Sequence, residues 1–194
     1  MNTHATGGQL MSTGTELLFT VGDLLLEPSL AQDDAGFWGK IWRAPLGKEP
    51  LERDDFVMVS KGHRNPQGLC PILGTNLVLE TEHGPRGGDE INIVDLDASP
   101  PTNYGWPEVS YGDHYDGRII PDTHAPLYTE PLAFFAFNLV GSHGITVCTS
   151  WDNYYLIGSL NGHKLYTLVL GDDQKVSRLD AVDIGYRIRS IAPL

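Results

Sequence analysis

Three features of this 194-residue sequence predict an all-β chain built as a partial β-propeller. Helical periodicity is almost absent, short β-rich runs bounded by Gly, Asn and Asp recur throughout, and one strand grammar repeats along the chain. A meandering sheet repeated with variable loops suits a propeller, in which each blade buries its faces against its neighbours. The first unit, 8–46, runs Gln9-Leu-Met-Ser-Thr, a Gly-Thr-Glu turn, Leu17-Leu-Phe-Thr-Val-Gly-Asp23 and Lys40-Ile-Trp-Arg-Ala-Pro-Leu46. The second, 55–97, contains Gly68-Leu-Cys-Pro-Ile72, a Gly-Thr-Asn turn, Leu77-Val-Leu-Glu-Thr-Glu-His83 and Glu90-Ile-Asn-Ile-Val-Asp-Leu96. The third, 132–171, contains Gly144-Ile-Thr-Val-Cys148, a Trp-Asp-Asn turn, Tyr154-Tyr-Leu-Ile-Gly-Ser-Leu160 and Lys164-Leu-Tyr-Thr-Leu-Val-Leu170. An incomplete unit is expected from 176, with Arg189-Ser-Ile-Ala-Pro-Leu194 as its last run. The intervening stretch 98–131 is rich in Pro and Gly, and its aromatics (Tyr104, Trp106, Tyr111, Tyr115, Tyr128) predict a long ordered loop. Because the second strand of each unit is followed by polar or turn residues (Gly22-Asp23, His83-Gly84-Pro85, Asn161-Gly162), functional groups are expected at one mouth of the propeller.

Composition excludes several partners. Thirteen Lys+Arg against 25 Asp+Glu give a formal charge of −12, which repels phosphate backbones and anionic lipid surfaces. No apolar run is long enough to span a bilayer, and the N-terminus carries no export signal. Cys70 and Cys148 permit at most one disulfide; each lies in an apolar run, where a small buried thiol is the commoner explanation.

Two polar clusters carry the chemistry. In Gly62-His-Arg-Asn-Pro-Gln-Gly-Leu69, Pro66 stiffens the backbone beside an Arg-Asn pair suited to an anionic, carbonyl-rich ligand. A structural Arg-Asn network between blades is the competing explanation. In Glu82-His-Gly-Pro-Arg-Gly-Gly-Asp-Glu-Ile-Asn92, a Gly-rich loop combines free carbonyls with carboxylates, the hard-oxygen mixture that suits Ca²⁺. A solvated acidic loop would look the same, and the spacing is not that of an EF-hand.

Arg64-Asn-Pro-Gln-Gly-Leu69, Glu82-His-Gly-Pro-Arg-Gly-Gly-Asp-Glu-Ile-Asn92 and Asn103-Tyr-Gly-Trp-Pro107, in that order, resemble the signature of the soluble pyrroloquinoline quinone (PQQ) dependent aldose sugar dehydrogenases, the glucose/sorbosone dehydrogenase family. Weaker similarity covers nearly the whole chain. The resemblance implies a six-bladed propeller with PQQ at the channel mouth, of which this chain would supply about three to four blades. It implies oxidation of the C1 hydroxyl of an aldose to a lactone, with a histidine as general base and hydride transfer to the quinone. His4 matches that base, and an imidazole suits the role. Arg64, Asn65, Tyr115, Arg187 and Arg189 would bind PQQ. The two last, alternating on one strand, would meet its carboxylates. The carbonyls of Gly84 and Pro85 would hold a Ca²⁺ that polarises the quinone, and Glu90 and Tyr104 a second, structural one.

Two positions depart from the family pattern: Asn161 stands where a PQQ-binding lysine is usual, and Gly141-Ser-His-Gly144 replaces a Pro-Ser-Gly stretch, so His143 is a candidate substitute contact. A second reading follows, an inactive or truncated propeller serving as a calcium-stabilised sugar-binding or interaction module. The partners expected are an aldose and an electron acceptor, with a homodimer through open blade edges and a periplasmic or secreted location.

Overall fold

The computed structural model describes residues 4–25, 27–136 and 144–192. The first sheet is a meander of β1 (Gly7–Ser12), β2 (Glu16–Val21), β3 (Lys40–Pro45) and β4 (Val57–Lys61). The second starts with β5 (Pro66–Pro71), β6 (Leu77–Glu82) and β7 (Asp89–Asp95). A short β8 (Thr102–Asn103) then returns to run parallel with β4, and β9 (Ala133–Phe135) completes the second sheet beside β7. The third is β10 (Ile145–Trp151), β11 (Tyr154–Ser159), β12 (Lys164–Leu170) and β13 (Val176–Asp183).

These are the expected blades with shifted boundaries. β4 and the strand 133–135, placed by sequence at the start of the second and third units, are instead the fourth strands of the first and second sheets. Residues 176–183, expected to open an incomplete unit, form the outer strand of the third.

The middle sheet is buried on both faces. Val78 and Val94 pack with Leu18, Ile41, Val59, Leu69 and Tyr104 against the first sheet. Leu79 and Ile91 pack with Ile145, Ile157, Tyr166 and Leu168 against the third. Alternate side chains point to opposite faces, so β6 needs apolar residues at adjacent positions and opens with the run Leu77-Val78-Leu79. The cysteines correct the expectation of free thiols: Cys70 on β5 and Cys148 on β10 form a disulfide, because inner strands of neighbouring blades bring their Cα atoms to 5.7 Å. Before β3, a loop is pinned by buried Lys40, whose ammonium donates to the carbonyls of Trp38 (2.8 Å) and Leu30 (2.9 Å).

Candidate active site

The loop before β5 presents Arg64 and Asn65. Their placement is fixed from beneath. One oxygen of the Glu82 carboxylate accepts from the backbone N–H of Arg64 (2.7 Å) and of Asn65 (3.3 Å). Its other oxygen accepts from Asn92 Nδ2 (3.3 Å) and meets His63 Nδ1 at 2.9 Å. His63 Nε2 lies 2.8 Å from Ser60 Oγ. Ser60, His63 and Glu82 thus have the spacing of a hydrolytic triad, but Ser60 and His63 are fully buried and no substrate reaches them. They are scaffolding.

Arg64 projects into the mouth. Its guanidinium donates to the carbonyls of Gly84 (2.6 Å) and His83 (3.2 Å) and to Tyr115 Oη (3.3 Å). It also lies 5.5 Å from the Trp106 ring centre and 5.6 Å from that of Tyr115. Asn65 Oδ1 accepts from the Gly7 N–H (3.1 Å), which orients the amide so that Nδ2 donates to His83 Nδ1 (3.1 Å). Neutral His83 therefore carries its proton on Nε2. Burial pushes the His83 imidazole down, against the opposing pull of Asp89.

The Gly-rich loop after β6 turns back on itself. A Cβ on Gly84 would stand 2.2 Å from the Gly88 carbonyl oxygen, and Gly88 itself has φ +68°, so neither position accepts a side chain without movement. Asp89 closes the loop: it accepts from the N–H groups of Gly84 (3.1 Å), Gly144 (2.5 Å) and Ile145 (3.0 Å), joining the second sheet to the third. Burial raises its carboxyl above the usual range despite these donors.

Two adjoining recesses of about 450 and 390 Å³ open over this floor. They share Arg64, His83, Tyr115 and Leu160; His4, Asn65, Gln67 and Arg189 line the first, and Arg86 and Arg187 the second. Most of the predicted site residues are thus brought together. Arg187 and Arg189 lie on extended chain rather than on a strand. Their alternation survives because Ile188 between them packs on Gly158. Arg187 donates to Asn161 Oδ1 (2.5 Å), and Arg189 to Gln67 Oε1 (3.3 Å). His143 lies outside the described residues.

Beneath the floor, Glu80 faces Asn92 and Glu82 faces Glu90 across β6 and β7. Burial, and then the charge of Glu82, push Glu80 and Glu90 well above the usual carboxylate range. Glu80 Oε1 and Asn92 Oδ1 are buried without a hydrogen-bond partner. A separate void of about 10 Å³ is lined by Glu82, Gly84, Pro85, Glu90 and Tyr104, and also by Arg64. The Tyr104 hydroxyl is committed elsewhere, donating to the Ile93 carbonyl (2.5 Å), so it is not the atom that would meet a cation.

Sequence reasoning gave no site role to Gln67, His83 or Arg86, and counted Asp89 only among the hard-oxygen donors of the acidic loop. All four belong to the two motifs it singled out; Gln67 stands two residues after Asn65, and His83 directly before Gly84.

The Glucose / Sorbosone dehydrogenase family matches residues 1–193. This chain belongs to that family. Among its relatives, the aldose sugar dehydrogenase YliI of Escherichia coli is 31% identical over 95% of this chain and 53% of its own. Quinoprotein glucose dehydrogenase B of Acinetobacter calcoaceticus is 30% identical over 55% of this chain and 26% of its own. A crystal structure of a glucose dehydrogenase superposes with a TM-score of 0.77 at 30% identity, covering 94% of this chain and 56% of that one. This glucose/sorbosone dehydrogenase family member thus spans about half the length of the aldose sugar dehydrogenase. Among the described residues no helix is long and apolar enough to cross a membrane.

Proposed function

We propose that this chain carries the cofactor half of a PQQ- and Ca²⁺-dependent aldose dehydrogenase, which oxidises the C1 hydroxyl of an aldose to a lactone. The observation that carries the reading is electrostatic. In a protein of formal charge −12, Arg64, Arg86, Arg187 and Arg189 line two joined recesses together with Asn65 and Gln67. That donor set fits a flat polycarboxylate bearing carbonyls, the chemistry of PQQ. The carboxylates of Glu82 and Glu90 and the backbone of the Gly-rich loop, which line the small void, fit a hard cation.

When bound, the quinone supplies the two-electron acceptor and Ca²⁺ the Lewis acid that polarises it. Arg187 and Arg189 would hold its carboxylates, Arg64 and Asn65 its oxygens, and Tyr115 would flank it. The carbonyls of Gly84 and Pro85 would hold one Ca²⁺, and Glu90, with Tyr104 through an atom other than its hydroxyl, a second. His4, in the wall of the first recess, would remove the C1 hydroxyl proton. The electron acceptor would be a dye or respiratory carrier, and the working location the periplasm or the cell exterior.

The competing reading, a calcium-stabilised binding module, is favoured by Asn161, which holds Arg187 where a lysine is expected. Dye reduction on adding PQQ, Ca²⁺ and an aldose to purified protein separates the two. Turnover that needs all three supports the dehydrogenase; no PQQ-dependent absorbance change and no turnover refutes it. Pairing of two copies at the open blade edges is tested by the solution mass, and a monomer at all concentrations refutes it.

A further inference from the structure

A third recess, of about 310 Å³, adjoins the two arginine-lined ones and differs from them in chemistry. Its walls are Leu25, Pro28, Pro85 and the rings of Trp106 and Tyr115, with Arg118 and His114 at the rim. Arg64 is common to all three recesses, and its guanidinium is within cation–π range of the two rings. No carboxylate or side-chain amide is among the residues that line this third space. An aldose bears a hydroxyl on nearly every carbon and needs acceptors as well as donors. Here it would bury hydroxyls against leucine and proline, at the cost of unpaired polar groups. A flat aromatic ring fits: its faces meet Trp106 and Tyr115, and carbonyl or anionic oxygens at its edge meet the guanidinium groups of Arg64 and of Arg118, the latter also paired with Asp116 (2.7 Å).

We propose that this recess binds the electron acceptor, and that the acceptor is an aromatic quinone. The inference rests on the dehydrogenase reading for its purpose and on the lining for its chemistry. The balance closes without another reactant: an aldose loses two electrons and two protons in becoming a lactone, and a quinone takes up the same to leave as a hydroquinone. The position one side chain away from the arginine-lined recesses lets sugar and acceptor occupy separate spaces.

The test uses anthraquinone-2-sulfonate, a planar anionic quinone, titrated calorimetrically into the whole chain in the presence of excess PQQ and Ca²⁺, so that the arginine-lined recesses are already filled. One site is expected, undisturbed by excess glucose. Arg118→Glu and Pro28→Glu each place a carboxylate at the recess, and each should weaken binding by about tenfold or more. In protein loaded with PQQ and Ca²⁺, the same variants should raise KM for a benzoquinone acceptor and leave KM for the sugar unchanged. Absence of binding, displacement by glucose, or unchanged affinity in both variants would overturn the proposal. Quinone binding with the expected variant losses, in protein that never turns over, would uphold the recess and refute the dehydrogenase reading instead.

Discussion

Breaking the Cys70–Cys148 bond should cost the fold more than any single side-chain change at the site. The bond closes a loop of 78 residues, all of which gain freedom in the unfolded chain once it is cut. Loop-closure entropy for that length comes to about 15 cal/mol/K, or roughly 4.5 kcal/mol at 25 °C. For a chain of this size that corresponds to a fall in melting temperature of roughly 9–18 °C. Both cysteines sit in the core between the second and third sheets, so reduction leaves the packing in place and removes the tether. The measurement is urea unfolding of protein refolded with and without reductant, alongside a thiol count on unfolded, unreduced protein. The expected count is zero, and the expected loss is 4–5 kcal/mol. The double variant Cys70→Ala, Cys148→Ala should lose somewhat more, since it also removes two buried sulfurs. Two reactive thiols, or equal stability with and without reductant, would refute the argument.

If PQQ-dependent turnover is found, His4→Ala should abolish it and leave PQQ binding by absorbance largely intact; equal turnover would place the base elsewhere. Glu82→Gln turns an amide N–H₂ toward donors that now meet a carboxylate, and should lower stability by about 3 kcal/mol by urea unfolding. An unchanged midpoint would mean that the carboxylate does not hold Arg64 and Asn65. Gly88→Ala combines a positive φ with a Cβ 2.2 Å from the backbone nitrogen of Gly112, and should be destabilising by at least about 2 kcal/mol on the same assay. Burial pushes the Lys40 ammonium down to about 8 from an ordinary 10.5. Between those values the unfolded chain binds the proton that the folded chain has released, so this group makes stability rise with pH there and adds no slope below about pH 7. Lys40→Met should flatten the stability profile between pH 8 and 10.5 relative to the parent, and parallel profiles would refute the assignment.

Strands, their turns and the side at which functional loops gather were legible because each depends on local pattern. Leu17 to Asp23 or Leu77 to His83 declares a strand and its end within a few residues. Membership of a sheet depends on distant partners, and so 57–61, 133–135 and 176–183 were placed one blade too far along. The cysteine pair was illegible for the same reason: apolar neighbours describe burial, whereas bonding depends on two blades lying side by side. In the site, Arg64, Asn65, Gly84 and Glu90 announced themselves by motif. His83 and Gln67 did not, since their importance lies in hydrogen bonds to Asn65 and Arg189 that no spacing rule encodes. Which atom of Tyr104 is available to a ligand was equally illegible, since its hydroxyl is spent on the Ile93 carbonyl.

A middle sheet covered on both faces also sets the order in which the protein opens. β13 has largely exposed residues and one paired edge, whereas β6 is almost wholly buried between two paired strands. Amide protons of β13 should therefore exchange through small fluctuations, and those of β6 and β7 only when the whole domain unfolds. Glu80, Glu82, Glu90 and Asn92 ride on those slowest strands, while Arg187 and Arg189 follow the fastest. Thermal wear would therefore free the arginines that rim the recesses well before it disturbed the carboxylate floor beneath them.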